Sequence, residues 1–347
     1  MKTLPIQIEK YRLKNTNKDT IVRLCYDPTG KFLVSADRSG EIAVLSKDNP
    51  RNIRFVHSPD ATVTGVWFSE DGKWLLVGHQ AGLLRTYNLA NAKFEAEIQL
   101  KTGRPKGYVL AGTSIPVLDY VVLTVCPRES ENLYAILEFR DFFTIQREDF
   151  REVSNRHESG SLFECATASL NGRYIFLGDA LGYIYRVTLP KMKLETYAEH
   201  HERVRAFDLA MRPTTMDTAT GIAALCLSHD NKLVASTSRS GGVQIWRTET
   251  ERPENVSTRE FRPFAARGPV RGDWIRGVCF VPNSNVVVLG AEDGTVETWN
   301  FATSQVTDVA ECPAGVRGID ISPDGAQFAI GCEDGSVFLV PWNQVSH

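Results

Sequence analysis

Ile321 to Trp342 reads ISPDGAQFAIGCEDGSVFLVPW. Ser322-Pro323-Asp324-Gly325 is a tight turn, because proline presets φ and Asp and Gly tolerate the left-handed conformation. Gln327 to Gly331 reads as a short strand. Glu333-Asp334-Gly335 is a second turn, of the Asp-Gly type favoured between antiparallel strands. Ser336 to Val340 is the next strand. The same grammar occurs six times with ten positions between the two turn residues: Gly30/Gly40, Gly72/Gly82, Gly172/Gly182, Asn231/Gly241, Ser284/Gly294 and Gly325/Gly335. Five positions after each second glycine stands a large apolar residue: Leu45, Tyr87, Val187, Trp246, Trp299 and Val340.

A further strand precedes each first turn: Val22–Tyr26, Val63–Phe68, Phe163–Ala168, Ala223–Leu227, Ile275–Phe280 and Val316–Ile321. A more variable strand, such as Phe94–Leu100, follows each pair. Four antiparallel strands per unit, recurring every 41 to 59 residues where units are contiguous, predict an all-β propeller of radial blades. The interval from Gly82 to Gly182 is twice the period, so a diverged third blade is expected at about 105–155. Its strands are read as Tyr108–Gly112, Tyr120–Cys126, Leu133–Phe139 and Phe150–Val153. This gives seven four-stranded blades in one domain spanning 1–347. The last unit ends one strand short. Residues 1–14, whose Ile6–Leu13 stretch alternates as a half-buried strand does, are expected to supply its outer strand and close the ring.

The turns SPDG, SEDG and DPTG, with EDGTVETW and EDGSVFLV, resemble the WD40-repeat β-propellers along nearly the whole chain. The Trp-Asp dipeptide of that family is incomplete here, since Arg247 follows Trp246 and Asn300 follows Trp299. The Gly-His pair is also missing from the blade entrances. The His/Ser/Asp/Trp hydrogen-bond tetrad implied by the resemblance is therefore at best partial, and apolar packing is expected to carry more of the blade. The resemblance implies partner docking on the face formed by the first-strand entrances and the turns between second and third strands.

Composition bounds the function. Of 347 residues 42% are hydrophobic, ample for a core, and the net charge of −3 gives no global attraction to nucleic acid or anionic membrane. No apolar run is long enough to span a membrane. The first residues, MKTLPIQIEKYRLKN, lack signal- and transit-peptide patterns, so an intracellular protein, cytoplasmic or nuclear, is expected. Cys25, Cys226 and Cys279 hold one register position and Cys165 lies in the equivalent strand. Cys332 lies between the turns. All are read as small buried hydrophobes, since no Cys-x-x-Cys spacing supports zinc. No phosphate loop, dinucleotide fingerprint, nucleophile elbow or HExxH helix occurs. His200-His201-Glu202 is read as a solvated connection. Glu292-Asp293 and Glu333-Asp334 are read as turn residues rather than an acid–base pair. No cofactor, metal or small-molecule substrate is expected, and no catalytic residue.

The candidate surface is a docking face. Its turn and entrance positions include Arg23, Arg38, Arg239, Arg276 and Arg317. Beside it runs TREFRPFAARGPVRGDWIR, residues 258–276, in which Arg259, Arg262, Arg267, Arg271 and Arg276 interleave with Phe261, Phe264 and Trp274. Arginine with aromatics is the composition of interaction hot spots, and arginine captures carboxylate or phosphate bidentately. The competing reading is a solvated loop whose rings pack back on the blade. The expected function is a non-catalytic scaffold, a subunit of a larger complex. Its partners would be other proteins, with acidic or phosphorylated segments as candidate ligands. Two alternatives are an RNA-associated subunit, with RNA reached through a complex, and a propeller enzyme working at its channel.

Overall fold

The computed structural model describes residues 6–13, 17–47, 49–57, 62–69, 71–79, 82–91, 93–99, 108–115, 120–126, 133–138, 150–153, 163–189, 193–199, 221–239, 241–260 and 274–345. Blade 1 is β1 (Ile21–Tyr26), β2 (Phe32–Asp37), β3 (Glu41–Ser46) and β4 (Asn49–His57). Blade 2 is β5 (Val63–Phe68), β6 (Trp74–His79), β7 (Leu83–Asn88) and β8 (Lys93–Gln99). Blade 3 is β9 (Tyr108–Ile115), β10 (Tyr120–Cys126), β11 (Leu133–Glu138) and β12 (Phe150–Val153). Blade 4 is β13 (Phe163–Ala168), β14 (Tyr174–Asp179), β15 (Tyr183–Thr188) and β16 (Lys193–Glu199). Blade 5 is β17 (Ile222–Leu227), β18 (Leu233–Ser238), β19 (Gly242–Arg247) and β20 (Asn255–Glu260). Blade 6 is β21 (Ile275–Phe280), β22 (Val286–Ala291), β23 (Thr295–Asn300) and β24 (Gln305–Glu311). A terminal sheet holds β25 (Val316–Ile321), β26 (Gln327–Cys332) and β27 (Val337–Pro341). Each sheet is an antiparallel meander, and the first strands pack one on the next from β1 through β25 and back to β1.

The expectation of seven four-stranded blades is corrected. Six blades carry four strands, and the terminal sheet has three. Among the described residues of the expected N-terminal strand, 6–13, no strand forms. Residues 6–13 do lie against the terminal sheet, but as a strap. Ile6 N–H donates to Val309 O (2.7 Å), Ile8–Tyr11 is a 3₁₀ turn, and Leu13 N–H donates to Val337 O (2.9 Å). Among the described residues, Ile6–Ala310 and Arg12–Phe338 pair as isolated bridges. The physical reason is that the strap serves two sheets: one end bonds β24 of blade 6 and the other bonds β27. Ile8 is buried between them, which a straight strand along one edge would not allow. Pro341 also removes a donor from the far end of β27.

The turn grammar accounts for the blades. Each of the twelve turn residues has a positive φ except Ser284, whose place is taken by Asn283 at φ 55°. Asparagine tolerates that region because its side chain bonds locally. At four first turns a buried serine hydroxyl accepts the backbone N–H five residues on: Ser69 from Trp74 (3.0 Å), Ser169 from Tyr174 (2.9 Å), Ser228 from Leu233 (2.9 Å) and Ser322 from Gln327 (3.2 Å). Asp27 takes the role in blade 1, accepting from Phe32 (2.6 Å). The six apolar residues five positions past each second glycine are all buried. Of the tetrad, Trp246 Nε1–H donating to Ser236 Oγ (3.0 Å) survives in blade 5.

Blade junctions repeat one packing device. A glycine near the end of a second strand leaves room for the first apolar residue of the next sheet. A Cβ on Gly178 would stand 2.6 Å from Ile222, on Gly290 2.5 Å from Val316, and on Gly331 2.8 Å from Ile21. The last of these closes the ring.

Candidate functional site: a charged ladder on the docking rim

The rim is built by a repeated backbone contact. The N–H of the residue after a second strand donates to the carbonyl just before the first strand of its sheet: Arg38 to Thr20 (2.9 Å), Arg239 to Gly221 (2.9 Å), Glu292 to Trp274 (2.9 Å) and Glu333 to Gly315 (2.8 Å). Each first strand described here, outside blade 3, shifts register at its start, as between Ile275 and Gly277 or between Val316 and Gly318. The second residue of the strand sits at that shift, where a bulge re-aims a side chain. Glu164, Arg276 and Arg317 occupy this position in blade 4, blade 6 and the terminal sheet.

These positions meet as a ladder around the rim. Glu164 pairs with Arg239 across the junction of blades 4 and 5. The Arg239 guanidinium lies over the Trp274 ring at 4.9 Å from its centroid, and Arg276 lies over the same ring at 4.3 Å. Arg276 pairs with Glu292. Arg317 reaches the same Glu292 carboxylate at 3.2 Å and also pairs with Glu333. Burial holds the Arg276 guanidinium below its ordinary value; Glu292 opposes this, while Arg317 and Arg239 add to it by repulsion. Arg317 Nε is buried with no acceptor among the described residues. Glu333 is the most open carboxylate of the ladder, its side chain 45% exposed against 17% for Glu292.

Glu292 holds two cations, so its loss has a clear cost. Glu292→Gln is expected to lower unfolding free energy by about 1–3 kcal/mol, less than for a fully buried pair because the arginines retain some water. Urea titration checks it, and the difference from the parent should shrink at high salt.

Arg239, Trp274, Arg276 and Arg317 of the sequence-derived set thus come together. Arg38 is exposed on the blade 1 rim. Arg262, Arg267 and Arg271 lie outside the described residues, as do His200-His201-Glu202 and most of the 258–276 connection. Arg259 is in β20 and pairs with the buried Glu297 at 2.7 Å, a structural contact between blades 5 and 6. Arg23 does not stand on the rim. It lies seven residues before Gly30, whereas Arg276 and Arg317 lie eight before Ser284 and Gly325, so Val22 is their equivalent. Sequence reasoning did not give the glutamates their role. The signal was present: opposite charges fall at corresponding register positions of successive units.

Arg23 instead faces the axis. Its guanidinium, held below its ordinary value by burial, has Cys165 of blade 4 and Cys25 as electrostatic neighbours. Asp320 bridges the ring closure, accepting the Tyr26 N–H (2.8 Å) and its neighbour Ile321 N–H (2.9 Å), and burial pushes its carboxyl up to about 6. Arg23, Cys25, Cys165, Cys226 and Asp320 are deep in the protein yet partly reached by solvent, as befits the wall of a water-accessible channel. Burial pushes the Cys226 thiol up to about 12 and raises Cys25 and Cys165 further, so these thiols are neutral. Among the described residues no group of three or more His, Cys, Asp or Glu is placed to hold a metal. A groove of about 330 Å³ beside Trp342 and Thr307 lies at the opposite end of β21 from the ladder and has no charged lining residue.

Comparison with known proteins agrees with this geometry. Residues 213–247, 267–300 and 304–340 match the WD40 family, described as "WD domain, G-beta repeat". These three stretches are WD40 repeats. The WD40 repeats coincide with blade 5, blade 6 and the terminal sheet, the part of the propeller that carries most of the ladder. Among solved structures it is similar to the Cps50 (Swd1) β-propeller domain of Myceliophteria thermophila, with a TM-score of 0.70 at 12% identity over 94% of this chain and 98% of that one. At that identity the likeness is one of fold. Among the described residues no helix is long and apolar enough to cross a membrane.

Proposed function

We propose that this WD40 propeller is a non-catalytic interaction scaffold, a subunit that holds other proteins through its rim. The observation that carries the reading is Trp274, half-buried and clamped between the Arg239 and Arg276 guanidiniums. A pre-oriented aromatic flanked by arginines loses little conformational freedom on binding, which is the property of an interface anchor. The ladder also refines the partner chemistry. Its arginines are already matched by glutamates, so a broadly anionic surface gains little there. A single carboxylate or phosphate on a partner segment gains by taking the place of the open Glu333 on Arg317. RNA fits less well, because Arg239, Arg276 and Arg317 would each have to give up a carboxylate.

The test is affinity purification of the tagged full-length chain with partner identification by mass spectrometry, for the parent, Trp274→Ala and Arg317→Gln. At least one stoichiometric partner should fall more than tenfold for Trp274→Ala, with the melting temperature little changed. Retention of the whole partner set by both variants would remove the rim from the reading. Loss of partners after nuclease treatment of the parent would favour the RNA-associated alternative.

A further inference from the structure

The side-on edge of the Arg317 guanidinium is half filled. Nε–H and Nη2 share that edge, on which a carboxylate sits bidentately. Glu333 Oε1 takes Nη2. Nε is buried with no acceptor among the described residues. The second oxygen of Glu333 does not turn to it. Oε2 lies over Gly315, 3.1 Å from where a Cβ on that glycine would stand. The other end of the guanidinium is taken, since Nη1 donates to Glu292 Oε1 at 3.2 Å. Glu333 N–H donates to Gly315 O (2.8 Å), which fixes the backbone of its turn. Its side chain is 45% exposed and reaches water by rotating about its own bonds, whereas Glu292 at 17% stays in place.

The charges of the ladder set what can replace it. Glu164, Glu292 and Glu333 match Arg239, Arg276 and Arg317. With Glu333 turned into solvent, two carboxylates remain against three guanidiniums, a surplus of one positive charge. One carboxylate restores the balance. A phosphate dianion overshoots it and stands beside Glu292 on the same guanidinium. We propose that Glu333 is a built-in placeholder for a carboxylate of the partner, an Asp or Glu side chain that takes Arg317 bidentately through Nε and Nη2. This rests on the scaffold reading of the rim and names the group that the rim takes. Glu333 competes with that group: it keeps the edge occupied until a partner arrives, and its removal raises affinity. Arg317 binds the partner's carboxylate, and Glu333 sets how tightly.

The experiment follows the arginine Nε–H signals of the full-length protein by NMR, with isotope label at the arginine nitrogens. The signal absent from Arg317→Gln or Arg317→Lys is assigned to Arg317. Parent and Glu333→Ala are each titrated with acetate and, separately, with inorganic phosphate at constant ionic strength. The Arg317 signal should shift with acetate in both. Half-saturation should come at about two- to fivefold lower concentration in Glu333→Ala, the factor by which an ion pair with one exposed partner competes. Glu333→Gln, which retains an acceptor without the charge, should fall between them. Equal half-saturation in parent and Glu333→Ala, or no response in either, overturns the placeholder. Saturation by phosphate at lower concentration than acetate overturns the choice of carboxylate. No partner protein takes part, so failure here is separate from failure of partner capture by the parent, which tests the scaffold reading.

Discussion

Gly331→Ala lowers the unfolding free energy by about 2 kcal/mol, and Gly331→Val lowers it further, because an added Cβ meets Ile21 Cγ2 at 2.8 Å across the ring closure. Ile21 is 1% exposed and has no open space into which to retreat. Ile21→Ala alone should cost about 2–5 kcal/mol through the cavity it leaves. The informative measurement is the double variant. Gly331→Ala with Ile21→Ala fills part of the cavity with the new methyl, so its cost by urea titration should fall short of the sum of the singles by at least about 1 kcal/mol. Additive costs would show that the glycine is needed for some reason other than admitting Ile21.

The second large effect depends on pH. The folded-state value of Asp320 is raised from 3.8 to about 6 by burial, partly opposed by the N–H groups of Tyr26 and Ile321. A raised carboxyl means that the fold disfavours the ionised form. Above about pH 6 the charge is a burden on the native state. Between about pH 6 and 4 the native state binds a proton that the unfolded chain does not, so this group adds stability as pH falls. The groups around it, Cys25, Tyr26, Cys226 and Cys279, do not titrate in that window. Asp320→Asn removes the charge and keeps an oxygen for the Tyr26 N–H, while giving up the acceptor of the Ile321 N–H. The variant should be more stable than the parent at pH 8 by about 1–3 kcal/mol, with the lower end reflecting solvent in the channel. The advantage should vanish near pH 4. A constant difference across the range would mean that Asp320 is ionised at no cost.

The fold was legible because its signals are local. A left-handed turn residue needs glycine or asparagine, and two such turns ten residues apart leave room for one short strand between them. Even blade 3, whose turns have lost glycine, was found from apolar runs: β10 and β12 match the expected Tyr120–Cys126 and Phe150–Val153. The terminal sheet was misread because its outer edge is decided by distant partners. Ile6–Leu13 has a strand-like alternation, yet Ile6 bonds blade 6 and Leu13 bonds β27, and no local pattern encodes a choice between two sheets. The rim was half legible. Register counting brought Arg276 and Arg317 together. It misplaced Arg23 by one residue at the strand-start bulge, and it left Glu292 and Glu333 as turn residues when their side chains also neutralise the arginines. The Trp274 clamp between Arg239 and Arg276 depends on two neighbouring blades and is invisible in one unit.

The strap has a consequence for how the protein is made. Arg12 meets Asp334, and Leu13 meets Val337, across almost the entire chain. During synthesis residues 6–13 leave the ribosome long before β27 does, and must wait for it before they find their place. Until then the growing ring stands open, with β1 lacking β25 beside it and Ile6, Ile8 and Leu13 uncovered. Such long-range closure is slow, and its exposed edges favour association with other chains. The time between the strap and the terminal sheet emerging is therefore when this chain has the greatest need of a chaperone.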